Sequence, residues 1–162
     1  MKGNIALRAV GLNLNKLLTT ELRDQGHYLT GSLENSINNS FNVVQEGRRV
    51  VLYGFALDYS IGLNDGVNSG RKLPTVDELT KYFLLRKLPL IQAKQAAILT
   101  AKRHKKEGMP TKASARFSKT GVRTNFINRV WTSNEQKIDS AMNVNMDAIF
   151  EEETKKQRSE TI

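Results

Sequence analysis

Residues 41–55 place two Val-Val pairs, Val43-Val44 and Val50-Val51, on either side of a turn at Glu46-Gly47. This hairpin constrains the fold more than any other stretch of the chain. Side chains alternate across a strand, so neighbouring valines must point to opposite faces. Both faces are therefore apolar near the middle of the ribbon, and a lone hairpin is marginal in water. One face can take a helix. The other needs later segments of the same chain or a second subunit, and Val43, Val51, Tyr53 and Phe55 are the candidate protomer-facing side chains.

Helical periodicity lies on both sides of the hairpin. From about Asn4 to Gln25, Leu7, Val10, Leu14, Leu17, Leu18 and Leu22 fall on one stripe, and Gly26 stands where a left-handed residue would end the helix. Thr30 or Ser32 can cap a short helix whose Leu33 and Ile37 lie one turn apart on the same face. Asp65 to Lys72 reads as a surface loop, with a docking loop that orders on assembly as the alternative. Thr75-Val76-Asp77-Glu78 has capping-box spacing and launches a helix to about Arg86, with Leu79, Tyr82 and Phe83 as its apolar stripe. Ile91 to Glu107 is an alanine-rich helix ended by Gly108 and Pro110. Lys112 to Gly121 reads as a basic, extended or mobile segment. A long last helix is expected from about Thr124 to Lys155, marked by Ile127, Trp131, Ile138, Met142 and Ile149. Phe126 and Trp131 read as core, with interface anchoring as the alternative. The expected class is α+β: an N-terminal helix, an antiparallel hairpin or small sheet packed against several helices, and a long C-terminal helix. A length of 162 residues predicts one domain, residues 1–156, followed by a flexible tail, 157–162.

Composition narrows the chemistry. Cysteine is absent, and His27 and His104 lie far apart, so the expectation is no metal, no disulfide and no cofactor. Met1-Lys2-Gly3-Asn4 lacks a signal-peptide run, and no stretch approaches about eighteen apolar residues, so no membrane partner is expected. No G-x-G-x-x-G, Gly-Lys-Ser/Thr or G-x-S-x-G motif occurs. Asp58 with Asp65, or Asp77 with Glu78, could hold a metal or act as acid and base. The latter pair already suits a helix N-terminus. A metal-dependent nuclease or toxin-like enzyme would need Asp58 or Asp65, and the expected role is not enzymatic.

The charge is lopsided. Lys102, Arg103, Lys105, Lys106, Lys112, Arg116, Lys119, Arg123 and Arg129 face one acid, Glu107, an excess of eight in a chain of net +9. Evenly solvated charge would spread more widely. The first eight of these cations are the candidate rim that meets an acidic protein or DNA phosphates. Phosphate contact would weaken with salt by a slope of about −0.9 per phosphate. Phe117 is the one aromatic within 102–123, so base readout is not expected. A solvated, solubilising face is the plain alternative.

Taken in order, the leading helix, Thr30-Gly31-Ser32-Leu33 with Ser36-Ile37, the hairpin, and Ala56, Tyr59, Leu63, Asn64 and Gly66 form a pattern. It resembles the tail-completion or head–tail joining proteins of tailed bacteriophages, over roughly residues 5–130. Ala97 to Pro110 and Arg123-Thr124-Asn125-Phe126-Ile127 look like the later part of that family. Two departures are Asn64-Asp65-Gly66, where the family has Glu-x-Gly, and the long helix after Val130. The resemblance implies an α+β protomer in a homo-oligomeric ring of the virion neck, made in the bacterial host cytoplasm. Its partners would be neighbouring neck, portal or tail proteins, with non-specific contact to packaged DNA. The hairpin and first helix would meet the next protomer, and the loop at 62–72 and the basic segment would reach adjoining rings. A small basic non-specific DNA-binding protein is the alternative.

Overall fold

A computed structural model of the chain describes residues 3–47 and 49–160. The fold is α+β, as the pattern predicts. Helices α1 (Gly3–Asp24) and α2 (Ser32–Asn39) come first, then strands β1 (Phe41–Glu46) and β2 (Arg49–Gly54). Helices α3 (Tyr59–Asp65), α4 (Val76–Leu85) and α5 (Leu90–Glu107) follow, then a 3-10 helix at Lys112–Phe117 and α6 (Phe126–Glu160). The chain groups into two compact units. One is Met1–Thr20, Glu34–Ala56 and Ile127–Ile162; the other is Glu21–Leu33 and Leu57–Phe126. Length alone does not anticipate this subdivision of the expected 1–156 domain.

In the first unit the hairpin sits on α1. A Cβ at Gly11 would lie 2.9 Å from Leu52 Cδ1 and 3.2 Å from the Phe41 ring, so the absent side chain lets sheet and helix approach. The Arg8 guanidinium stands 5.9 Å from the centre of the Phe41 ring. The buried line of α1 here is Ala6, Val10, Gly11, Asn15 and Thr19, whereas Leu7, Leu14, Leu17 and Leu18 are only half-buried. The leucine stripe thus lies to one side of the closest contact. Small residues are what a backbone needs where a sheet lies directly over it. Asn15 is satisfied there, donating from Nδ2 to the Ile37 carbonyl at 2.6 Å. Val130 and Ile138 on α6 are buried. Trp131 corrects the core expectation: it is half exposed. Phe126 and Val130 hold the buried spacing, and Trp131, one residue on, turns away from it.

The second unit is built on a helical hairpin in which α4 packs against α5. Ala93 and Ala97 are fully buried on α5, and Leu79 is buried on α4. The capping box is present as spaced: Thr75 Oγ1 accepts from the Glu78 N–H, and the Glu78 carboxylate accepts from the Thr75 N–H at 2.8 Å. Those bonds hold the Glu78 carboxyl below its usual range. Leu33 and Phe126 are buried here too.

Three local expectations change. Tyr59–Asp65, read only as a motif before a loop, is helical; seven residues containing a glycine and an asparagine give no periodic signal. The loop after it is pinned at its base by paired backbone bonds of 2.7 Å between Val67 and Met109. Lys112–Phe117 is a 3-10 helix rather than an extended segment. Short side chains decide that: Ser114 bonds back to the Thr111 carbonyl through both N–H and hydroxyl. α6 also runs on through residues 157–160 of the expected tail; Thr161 and Ile162, like Arg48 of the hairpin, lie outside the described residues.

Candidate docking surfaces

The basic segment is positioned by the end of α1. Gly26, at φ +73°, closes that helix: its N–H bonds to the Arg23 carbonyl and the His27 N–H to the Leu22 carbonyl. This double bond pattern is a Schellman termination, and it leaves the carbonyls of Gln25 and Gly26 facing outward. Arg123 takes both, donating from Nε to Gln25 O at 3.0 Å and from Nη2 to Gly26 O at 3.2 Å. His27 Nε2–H donates in return to the Arg123 carbonyl at 3.0 Å. Gln25, fully buried, donates from Nε2 to Glu21 and to the Thr124 carbonyl. Lys119 bonds to Asp24 through its backbone N–H, and its ammonium lies 2.6 Å from the Asp24 carboxylate. Residues 117–125 are thereby strapped across the helix end. A cation there also suits the negative end of the helix dipole.

This strap sorts the eight predicted rim cations. Lys102, Arg103, Lys105, Lys106, Lys112 and Arg116 are exposed. Arg116 lies against the Phe117 ring, 4.8 Å from its centre. Lys119 is exposed but paired with Asp24. Arg123 leaves the rim: it is half-buried and spent on the α1 carbonyls, so the partner-facing assignment is corrected to a structural one. Sequence reasoning missed it because a cation 98 positions from its acceptor has no local signature. Burial draws its pKa below the ordinary guanidinium value, with Tyr82 opposing and Arg86 adding to that shift.

Both histidines are partly or wholly enclosed. Burial lowers the His27 pKa, its bond to the Arg123 carbonyl opposes this, and the Arg123 charge adds to the lowering. Burial also lowers the pKa of His104, against the opposing charge of Glu107. Its Nδ1 is buried without a hydrogen-bond partner. His104 marks the inner side of α5, and Lys102, Arg103, Lys105 and Lys106 occupy the remaining arc.

The hairpin register divides the other candidate set. Val43 pairs with Leu52, and Val44 with Val51. Val43 therefore shares the face of Phe41 and Leu52 that sits on α1, and lines an open groove with Ile5 and Arg8. The outer face carries Val44, Val51, Tyr53 and, one residue past the strand, Phe55. Val43 is corrected to the inner face, and Val44 takes its place. Val44, Tyr53 and Phe55 are 41%, 40% and 54% exposed. Tyr53 donates its hydroxyl to Glu46 on the opposite strand, which raises the phenol's pKa.

No family model, curated protein or solved structure matches this chain. Among the described residues no group of three or more His, Asp or Glu side chains is arranged to hold a metal ion. No described helix is long and apolar enough to cross a membrane.

Proposed function

We propose that this protein is a structural subunit of the neck of a tailed bacteriophage, a ring-forming tail-completion or head–tail connector protein. One observation carries the reading: the helix, Thr-Gly-Ser-Leu turn and hairpin follow in the family's order, and the hairpin keeps an apolar outer face beside an inner one seated on α1. Val44, Val51, Tyr53 and Phe55 are chemistry for pairing with the next protomer. The exposed cations of α5 and the 3-10 helix are chemistry for an acidic neighbour. The work of such a subunit is docking. Apolar faces supply the attraction, and charge supplies orientation and selectivity.

The test is electron microscopy of particles from a phage lacking this coding sequence. Filled heads separated from finished tails are expected. Normally joined particles would rule the reading out.

A second reading, the non-specific DNA-binding protein, draws on the six exposed cations between Lys102 and Arg116. It requires the isolated chain to bind duplex DNA with an affinity that falls steeply as salt rises. A neck subunit need show little of this before it is arrayed.

A further inference from the structure

Helix α5 has two contrasting sides. Ala93, Ala97 and His104 are its buried line. On the other side, Ile91 (73% exposed), Ile98 and Leu99 (63% exposed) stand at i, i+7 and i+8. Lys102, Lys105 and Lys106 continue the same stripe toward the C-terminus. An apolar patch thus runs directly into a basic one.

Helix α6 carries the matching chemistry. Between residues 135 and 153 it has six acids, Glu135, Asp139, Asp147, Glu151, Glu152 and Glu153, against the single cation Lys137. Asp139, Met146, Asp147 and Phe150 fall at i, i+7, i+8 and i+11 on one exposed stripe, with Phe150 75% exposed. Ile138 holds the buried side.

We infer that the outward stripe of α5 is the seat for the acidic, apolar stripe of α6 from a second copy of this chain. Three observations select that occupant. Each stripe is exposed on its own unit, so its own unit does not cover it. Each offers large apolar groups together with charge, and the charges are opposite. The spacing on each is that of one helix face, so a helix-on-helix contact can bury both apolar sets at once. DNA would use the lysines and leave Ile91, Ile98 and Leu99 uncovered. The contact joins two different surfaces, so it either runs head to tail into a ring or filament or is made twice, reciprocally, in a two-fold dimer. Only closure into a ring rests on the neck reading; the pairing itself does not.

The experiment is sedimentation velocity on the full chain over a range of concentrations and salt, with circular dichroism to verify folding. Self-association that weakens with salt is expected. One variant carries Lys102→Glu, Lys105→Glu and Lys106→Glu; a second carries Asp139→Lys, Asp147→Lys and Glu151→Lys. Each should weaken association by about tenfold or more, since like charges then face each other. A chain carrying both sets restores opposite charges and should regain association, which structural damage could not produce. The inference is overturned if the native chain stays monomeric, whether or not it binds duplex DNA through these lysines. It is equally overturned if the single reversals leave association intact or the combined chain fails to recover. The neck reading fails separately: a phage lacking this coding sequence that still joins heads to tails would sink that reading and leave this contact standing.

Discussion

Arg123 and Gln25 are joined across 98 residues of chain, the guanidinium Nε donating to the Gln25 carbonyl at 3.0 Å. The second arm holds the Gly26 carbonyl, so one side chain caps the end of a helix and anchors the basic segment beside it. What looks from composition like one more rim cation is the fastening of the rim.

Arg123→Ala should therefore lower stability by about 2–3 kcal/mol, because two charge-assisted bonds are lost and two partly buried carbonyls lose their partner. Urea unfolding of the purified chain measures this. Lys105→Ala, on the exposed arc, should change it by no more than about 0.5 kcal/mol. Equal losses at both positions would contradict the division drawn between them.

The two enclosed histidines set a pH dependence. Their folded pKa values lie below the imidazole value of about 6.5, so the unfolded chain takes up protons first as pH falls. The stability they contribute is complete above that value and is lost as pH drops from it toward the lowered folded pKa. Unfolding free energy measured between pH 7 and pH 5, values that bracket about 6.5, should fall. The slope should be shallower in His27→Gln. A slope unchanged in the variant would exclude His27 as a contributor.

Thr75→Ala removes the acceptor for the Glu78 N–H and one arm of the capping box of α4. The expected cost is about 1 kcal/mol. Thr75→Ser, which keeps the hydroxyl, should recover most of it. Thermal or chemical unfolding compares the three chains, and an alanine variant as stable as the native chain would remove the cap from the account of α4.

Val44→Ser with Phe55→Ser alters only the outer face of the hairpin, where both side chains are already partly in water. The monomer should remain folded by circular dichroism, with a change of no more than about 1 kcal/mol. Joining of heads to tails, scored by electron microscopy, should fail. Joined particles in normal yield would take the hairpin face out of the proposed interface.

The sequence was most legible where a signal is local. The capping box at Thr75 and Glu78, the left-handed Gly26, and the hairpin strands follow from bonds made within a few residues, and all stand as read. The α5 helix is ended by Gly108 for the same reason. Local chemistry was also enough for the α+β class, since one hairpin amid helical periodicity leaves few alternatives.

Contacts distant in sequence decided the rest. Which face of the ribbon Val43 occupies depends on seating against Gly11, and a strand's alternation gives two faces without saying which is inside. Whether Trp131 or Phe126 is buried depends on which side of α6 meets the core, and a broken stripe leaves the helix free to rotate. Arg123 became structural because folding brought the end of α1 to it. A solitary chain shields its α1-facing ribbon surface and leaves Val44, Tyr53 and Phe55 partly in water, because only one face of the ribbon has a helix to sit on. That a neighbouring subunit covers the other face belongs to the proposed reading, and a variant with that face made polar that still builds whole virions would end it.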